Sequence, residues 1–292
     1  SPRPGHADLP GAIKYNHRDM RNVLERASAR ETASRVAAGA IFKQFLAAFN
    51  IYIYSQVVAI GEVKCQGKPV DSRNWQQVLQ DVEKSSVRCA DPQASQAMME
   101  AIDSARQEGE SLGGCFEVGA VSVPPGLGSH VSWDTKLDAI LAGLLMSIPA
   151  IKAVEIGDGF RNAVLPGSKV HDEILYNAQQ GIYRQTNRAG GIEGGISNGE
   201  PIWARCYMKP IPTLYKPLRS VDTRLWQETK ATVERSDICA VPAAAVVGEA
   251  MMSFGIARAF LEKFSGDHLE QVRDAFEGYH KYMKKVWQWE KI

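Results

Sequence analysis

Arg26-Ala27-Ser28-Ala29-Arg30-Glu31-Thr32-Ala33-Ser34-Arg35-Val36-Ala37-Ala38-Gly39-Ala40 joins a basic, hydroxyl-bearing entry to a run of small apolar residues. Past Glu31, the residues Ala33, Val36, Ala37, Ala40, Ile41, Phe45 and Ala48 recur at three-and-four spacing, which predicts a helix over 28–49 with this set as its core face. At the helix start, unpaired backbone N–H groups and the positive end of the dipole lie beside Arg26 and Arg30. Ser28 is in position to cap, with Glu31 three residues on completing a capping box. An anion is well held by such a tip. A solvated basic helix end with an ordinary cap accounts for the same residues as simply.

At 292 residues and 45% hydrophobic, the chain can bury a substantial core, and no linker divides it. Lys+Arg 34 against Asp+Glu 33 leaves a net charge of +1, so no global field draws the chain to nucleic acid or to a membrane surface. Anion recognition must therefore come from local Arg and Lys clusters. The five Cys (65, 89, 115, 206, 239) are widely spaced without a C-x-x-C pair, which argues against a disulfide framework or a structural zinc site; no metal is expected, and a reducing cytoplasm fits best. The most apolar stretch, 241–264, contains Glu249, Arg258 and Glu262 and reads as a buried helix, not a membrane span.

Residues 1–26 are polar and turn-rich and read as mostly loop. Beyond the first helix, 50–65 reads as a strand bending at Gly61, 74–84 and 92–110 as peripheral helices, and 113–123 as a returning strand. Asp134 is placed to cap a helix burying Leu137, Ile140, Leu141, Leu144, Leu145 and Ile148, followed by a strand at 151–156. Residues 160–187 are mixed. The run from Asn187 to Glu200 is too rich in Gly for a helix and must serve turns or a close backbone approach. Strands are expected at 201–209 and 231–235, then helices at 242–264 and 267–289. Helices apolar nearly all round belong inside a layered fold with sheets outside them.

Four further patterns carry chemistry. Pro4-Gly5-His6-Ala7-Asp8 sets a histidine beside a carboxylate that would orient it, a natural proton donor; a lone loop histidine is more often simply exposed. Lys209-Pro210-Ile211-Pro212-Thr213 offers a cation and a hydroxyl on a proline-stiffened loop that suits a phosphate, although proline-rich surface turns are common. Arg235-Ser236-Asp237 joins a fork donor to a carboxylate, which is also the composition of a structural ion pair. The glycine run matches neither the Walker nor the dinucleotide fingerprint, so nucleotide folds of those types are unsupported.

Taken in order, Arg-Pro-Gly-His-Ala-Asp (3–8), the helix-start block, Gly-Gly-Ile-Glu-Gly-Gly-Ile-Ser-Asn-Gly (190–199), Met-Lys-Pro-Ile-Pro-Thr-Leu (208–214) and Arg-Ser-Asp (235–237) resemble chorismate synthase. Ser132 to Asp138 and Val154 to Gly157 fit the likeness, which runs from Arg3 to the last helices. It implies a carbon–oxygen lyase converting 5-enolpyruvylshikimate 3-phosphate to chorismate and phosphate by 1,4-anti elimination. The cofactor would be reduced FMN, with no net redox change and NADPH as an external reductant. The lost hydrogen is unactivated, so the flavin carries the difficult step and the protein supplies position and charge.

Carried over by motif, the resemblance makes His6 a proton donor near the flavin, and Ser28 with Asp237 the handlers of the proton at its N5. Arg30 and Arg235 would meet the substrate. Arg26, Ala27, Ser28, Pro149, Ala150, Gly194, Lys209, Pro210, Ile211, Pro212, Thr213 and Arg235 would contact FMN. Position 149 departs from the family, where Asn is common.

The same resemblance implies a single α+β domain over 1–292, a β-α-β sandwich with central helices between two antiparallel sheets, assembled as a cytoplasmic homotetramer. The family's Gly-Glu-Ser-His-Gly segment and the Arg-rich loop after it are missing, and Gly109-Glu110-Ser111-Leu112-Gly113 only echoes the first. The chain accordingly reads as a core truncated at the N-terminus. A catalytically inert core that folds, assembles and binds FMN weakly is the alternative, and an ordinary flavin oxidoreductase a third.

Overall fold

A computed structural model describes residues 1–65 and 69–290. Two short helices, α1 (Asp8–Tyr15) and α2 (Met20–Arg26), stand where loop was expected. They are held by Asp19, which caps α2 through the Arg21 N–H, and by Gly11 of α1, which lies against Val23 of α2. Then come α3 (Thr32–Ala47), β1 (Tyr52–Ile60), β2 (Val63–Lys64) beyond a turn at Gly61, α4 (Trp75–Lys84), α5 (Pro92–Glu108) and β3 (Gly114–Val121). The middle of the chain forms α6 (Leu137–Met146), β4 (Ile151–Ile156), short α7 (Gly159–Ala163) and α8 (Gly167–Val170), and ribbons β5 (Ile174–Asn177) with β6 (Gly181–Arg184) and β7 (Ile192–Glu193) with β8 (Ile196–Ser197). β9 (Ile202–Met208), the ribbon β10 (Arg219–Asp222) with β11 (Gln227–Lys230), α9 (Val241–Lys263) and α10 (Leu269–Trp287) complete it.

The α+β class and the antiparallel pairing are as expected. Five strands form one sheet in the order β2-β1-β3-β9-β4, every neighbouring pair antiparallel. Its helix side is covered by α9 on β1 and β3 and by α6 on β4, with α3 laid across α9. Among the described residues the other strands form two-stranded ribbons. The sheet's opposite side carries a smaller apolar cluster, Tyr54 and Val121 with Val70 and Trp75, and beside it Glu117 is buried, accepting from Gln56 Nε2 at 3.0 Å with Arg205 Nε 3.5 Å away.

α9 is long and apolar enough by composition to cross a membrane, but most of it is buried in the core. Its one buried carboxylate, Glu249, meets Lys43 Nζ (2.5 Å), Arg88 Nη2 (2.9 Å) and Ser55 Oγ (2.7 Å), so the charge is fully matched.

Three local expectations are corrected. α3 turns a different face inward: Gly39 and Leu46 are buried, Val36, Phe42 and Phe45 half-buried, while Ala33, Ala37, Ala40 and Ala48 are exposed and Ile41 is 69% exposed. The reason is Gly39, which fits so closely on α9 that a Cβ there would lie 2.4 Å from Ala250 Cβ. Asp134 does not cap α6; it accepts from Ser132 Oγ in a preceding turn, and α6 starts directly after Lys136. Residues 231–235 form no strand, because the ribbon partner of β11 is β10 upstream.

Candidate active site

The sheet register explains why distant motifs meet. Met208, last in β9, pairs with both Gly114, first in β3, and Ile151, first in β4. The segments that flank those residues, 111–113, 147–150 and 209–213, therefore emerge side by side at one end of the sheet. Lys209 N–H donates to Ala150 O at 3.0 Å, and Ser111 Oγ donates to Ile211 O at 2.7 Å. Gly113 allows the approach, since a Cβ there would lie 2.3 Å from Met208 O.

The His6 turn docks on the same loop. Lys209 Nζ donates to Gly5 O, and Arg3 Nη1 donates to Thr213 Oγ1 at 2.9 Å. Within the turn, His6 Nδ1 is 2.6 Å from Asp8 Oδ1, and Asp8 Oδ2 accepts from Arg3 Nε at 2.9 Å. Burial pushes the His6 pKa below the ordinary histidine value and the Arg3 cation lowers it further, with the Asp8 carboxylate opposing both. Burial raises Asp8, but the Arg3 hydrogen bonds outweigh it and hold its pKa below the usual carboxylate range.

Asp237 arrives through its neighbour: Leu112 N–H donates to Ile238 O at 2.8 Å, beside the Ser111 contact. Asp237 itself is exposed, as is Arg235. α3 runs back along β1, so its N-terminal turn lies at this same sheet end, and Arg35 Nη1 donates to Ser147 Oγ at 2.9 Å, next to Pro149 and Ala150. Ser28 caps a 3-10 turn, Ala29–Glu31, by accepting from Arg30 N–H at 3.4 Å. Glu31 does not close the expected capping box; its carboxylate is taken by Arg35 Nη2 at 2.9 Å. Arg26, Ala27 and Arg30 are exposed, and Arg30 lies 4.0 Å from Glu25.

Gly194 stands apart from this cluster. Leu137 N–H bonds Gly195 O, which ties the glycine turn to the first residue of α6, whereas Pro149 and Ala150 follow its last turn. A ten-residue helix separates the two by about 15 Å. Two clefts, of about 570 and 550 Å³, lie by the β5–β6 ribbon and share Asp71, Arg73 and Arg184. None of the expected site residues lines either one. Arg3 opens the quoted 3–8 block without a role of its own there, and Ser111 reads only as an echo; each makes a bond to a partner far along the chain, at separations of 210 and 100.

An antiparallel sheet with no nucleotide-fold phosphate loop, carrying a histidine–carboxylate pair, a lysine and hydroxyls on converging loops, is the build of an α+β enzyme that handles anions and moves protons. Lyases are such a class. Comparison with known proteins narrows it: the family model described as chorismate synthase matches residues 1–261, and the chain belongs to the chorismate synthase family, lyases of aromatic amino acid biosynthesis.

Over 291 residues the chain is 64% identical to chorismate synthase of Syntrophomonas wolfei subsp. wolfei, covering 100% of this chain and 74% of that protein. Its identity to the enzyme of Desulforamulus reducens is 54% over 285 residues, 98% of this chain and 73% of that one. A crystal structure of a chorismate synthase superposes with a TM-score of 0.84 at 46% identity, covering 96% of this chain and 77% of the other.

Proposed function

We propose that the chain converts 5-enolpyruvylshikimate 3-phosphate to chorismate and phosphate at the loop cluster beside Lys209, acting with reduced FMN as one core domain over 1–292. The observation that carries this is the union of the His6 turn with the 209–213 loop through Lys209–Gly5 and Arg3–Thr213. It sets a proton-exchanging ring beside a cation and a hydroxyl, as a phosphorylated cofactor and substrate held face to face require.

The donor set fits the group. Thr213 Oγ1 already accepts from Arg3, so its own hydroxyl hydrogen is left to donate, and a phosphate oxygen is a natural acceptor. Lys209 adds positive charge, with the backbone of Pro210, Ile211 and Pro212 as a stiff floor. Arg26, Ala27, Ser28, Pro149, Ala150 and Arg235 would complete the cofactor's surroundings, and Gly194 is assigned by motif alone. Reduced FMN supplies, when bound, the electron-donating chemistry that lets an unactivated C–H bond and a C–O bond break with no net redox change. Arg30 and Arg235 would hold the anionic substrate. His6 would hold a proton near the flavin, and Ser28 with Asp237 would handle the proton at its N5.

NADPH is proposed as the external reductant and the cytoplasm as the place of action. A homotetramer is proposed on the family resemblance together with the apolar face that α3 leaves open at Ala33, Ala37, Ala40 and Ile41.

The test is chorismate formation under anaerobic conditions with FMN and limiting reductant. Many turnovers per reducing equivalent are expected. Product in one-to-one ratio with reductant would overturn the elimination in favour of an oxidoreductase, and FMN binding without product would leave an inert core. Light scattering at four times the chain mass checks the assembly.

A further inference from the structure

Two charged residues behind His6 are too deeply buried to be ordinary turn residues. Arg3 is 8% exposed and Asp8 3%. Asp8 receives three donors from Arg3: the backbone N–H at 3.0 Å and Nε at 2.9 Å to Oδ2, and Nη2 at 3.2 Å to Oδ1. The same Oδ1 lies 2.6 Å from His6 Nδ1, and Arg3 Nη2 lies 3.1 Å from that nitrogen. An ionised carboxylate can only accept, so the hydrogen in the 2.6 Å contact must sit on Nδ1. In the neutral ring Nε2 then carries no hydrogen, with Arg3 Nη2 3.4 Å away as a donor facing it, and is the one nitrogen able to gain and release a proton.

We propose that Asp8 and Arg3 are positioning residues for His6: Asp8 fixes the Nδ1–H tautomer so that Nε2 is the proton-exchanging nitrogen, and Arg3 clamps Asp8 and ties the pair to Thr213. The inference rests on the reading of His6 as a proton donor. The charged groups facing the ring are Arg3 and Asp8 from its own turn and Lys209 from the loop after β9. Removing the carboxylate and removing the guanidinium must therefore move His6 in opposite directions, which a merely structural role would not do.

The experiment is nitrogen NMR of the full chain labelled at histidine, read through a pH titration. Wild type is expected to show a neutral His6 protonated on Nδ1. Asp8→Asn should shift the tautomer ratio at least tenfold toward Nε2–H and lower the titration midpoint by about one unit, the scale of a lost opposite charge at contact distance. Arg3→Gln should raise the midpoint, and Asp8→Glu should recover the wild-type tautomer, with unchanged backbone amide spectra as the control for folding.

A wild-type ring carrying Nε2–H, or a midpoint and tautomer unmoved in a folded Asp8→Asn, would overturn the proposal. The wild-type spectrum decides even if the variants fail to fold. Turnover on the same proteins separates the two readings: a changed tautomer with unchanged chorismate formation supports the positioning role and removes His6 from the chemistry.

Discussion

Lys209 serves both the fold and the site. Its ammonium donates to Gly5 O and so anchors the His6 turn, while its charge is the cation nearest the ring on the 209–213 loop. Lys209→Met keeps the stem and removes both functions. The expected result is FMN affinity reduced about ten- to hundredfold, the worth of one charge-assisted hydrogen bond, with a small fall in Tm, read by flavin fluorescence titration and thermal unfolding. Unchanged affinity would remove Lys209 from the cofactor site. The residue types were legible in the sequence because His6–Asp8 and Lys209–Thr213 are each local patterns with a local chemical meaning. Their adjacency was implied by the family resemblance alone, since physically it depends on Met208 pairing with two strands at once. Ser111 shows the limit: read as an empty echo of a motif, it is buried and bonds the backbone of the cation-bearing loop.

Among the elements, α3 and α9 were recognised by period and composition, yet which side of α3 faces inward was misread. Alanines at helical spacing look like a core stripe, but closest packing of two helices is governed by the smallest residue, and Gly39 takes that place. Gly39→Val would press a side chain into Ala250, whose Cα lies 2.6 Å from an ideal Cβ. Overpacking of this kind costs about 1–3 kcal/mol or more, so a clear loss of Tm is expected, whereas Ala37→Val on the open face should leave the monomer fold within about 0.5 kcal/mol. Equal effects would mean that the α3 face is assigned wrongly. α1 and α2 are hidden for a different reason: each is short, Pro10 and Gly11 inside α1 read as turn residues, and their stability comes from Asp19 and from mutual contact, not from periodicity.

The Glu249 cluster tests the α9 junction from the charge side. Glu249→Gln would leave the Arg88 guanidinium, 14% exposed, without its buried counter-charge, at a cost of roughly 3 kcal/mol. The Glu249→Gln/Arg88→Met double variant should recover part of that loss in denaturant unfolding, because the unpaired charge goes with the arginine. An additive double variant would mean that Lys43 and Ser55, not Arg88, carry the cluster.

Over the whole molecule, acid sensitivity follows from two histidines held neutral in unlike surroundings. His6 is depressed by burial and by Arg3 and Lys209; His280 is depressed by burial alone, its ring edge-on to Phe276 at 4.3 Å and its buried Nε2 without a hydrogen-bond partner among the described residues. Between each lowered folded value and the unfolded value near 6.5, the unfolded chain binds more protons than the folded one. Stability therefore rises with pH across that window and falls on acidification through it. Glu117 works with the opposite sign. Burial raises its pKa, so its contribution is full below the unfolded value of 4.5 and is lost as pH rises through the folded one. A comparison of wild type with a His6→Gln/His280→Gln variant isolates the histidines, since Glu117 is common to both. From pH 7.5 down to 5.5 the Tm of wild type is expected to drop more steeply than that of the variant. His280→Gln alone should remove the part that arises at the helix packing, leaving the part that belongs to the loop cluster. Parallel curves for all three proteins would show that neither ring is held neutral by the fold.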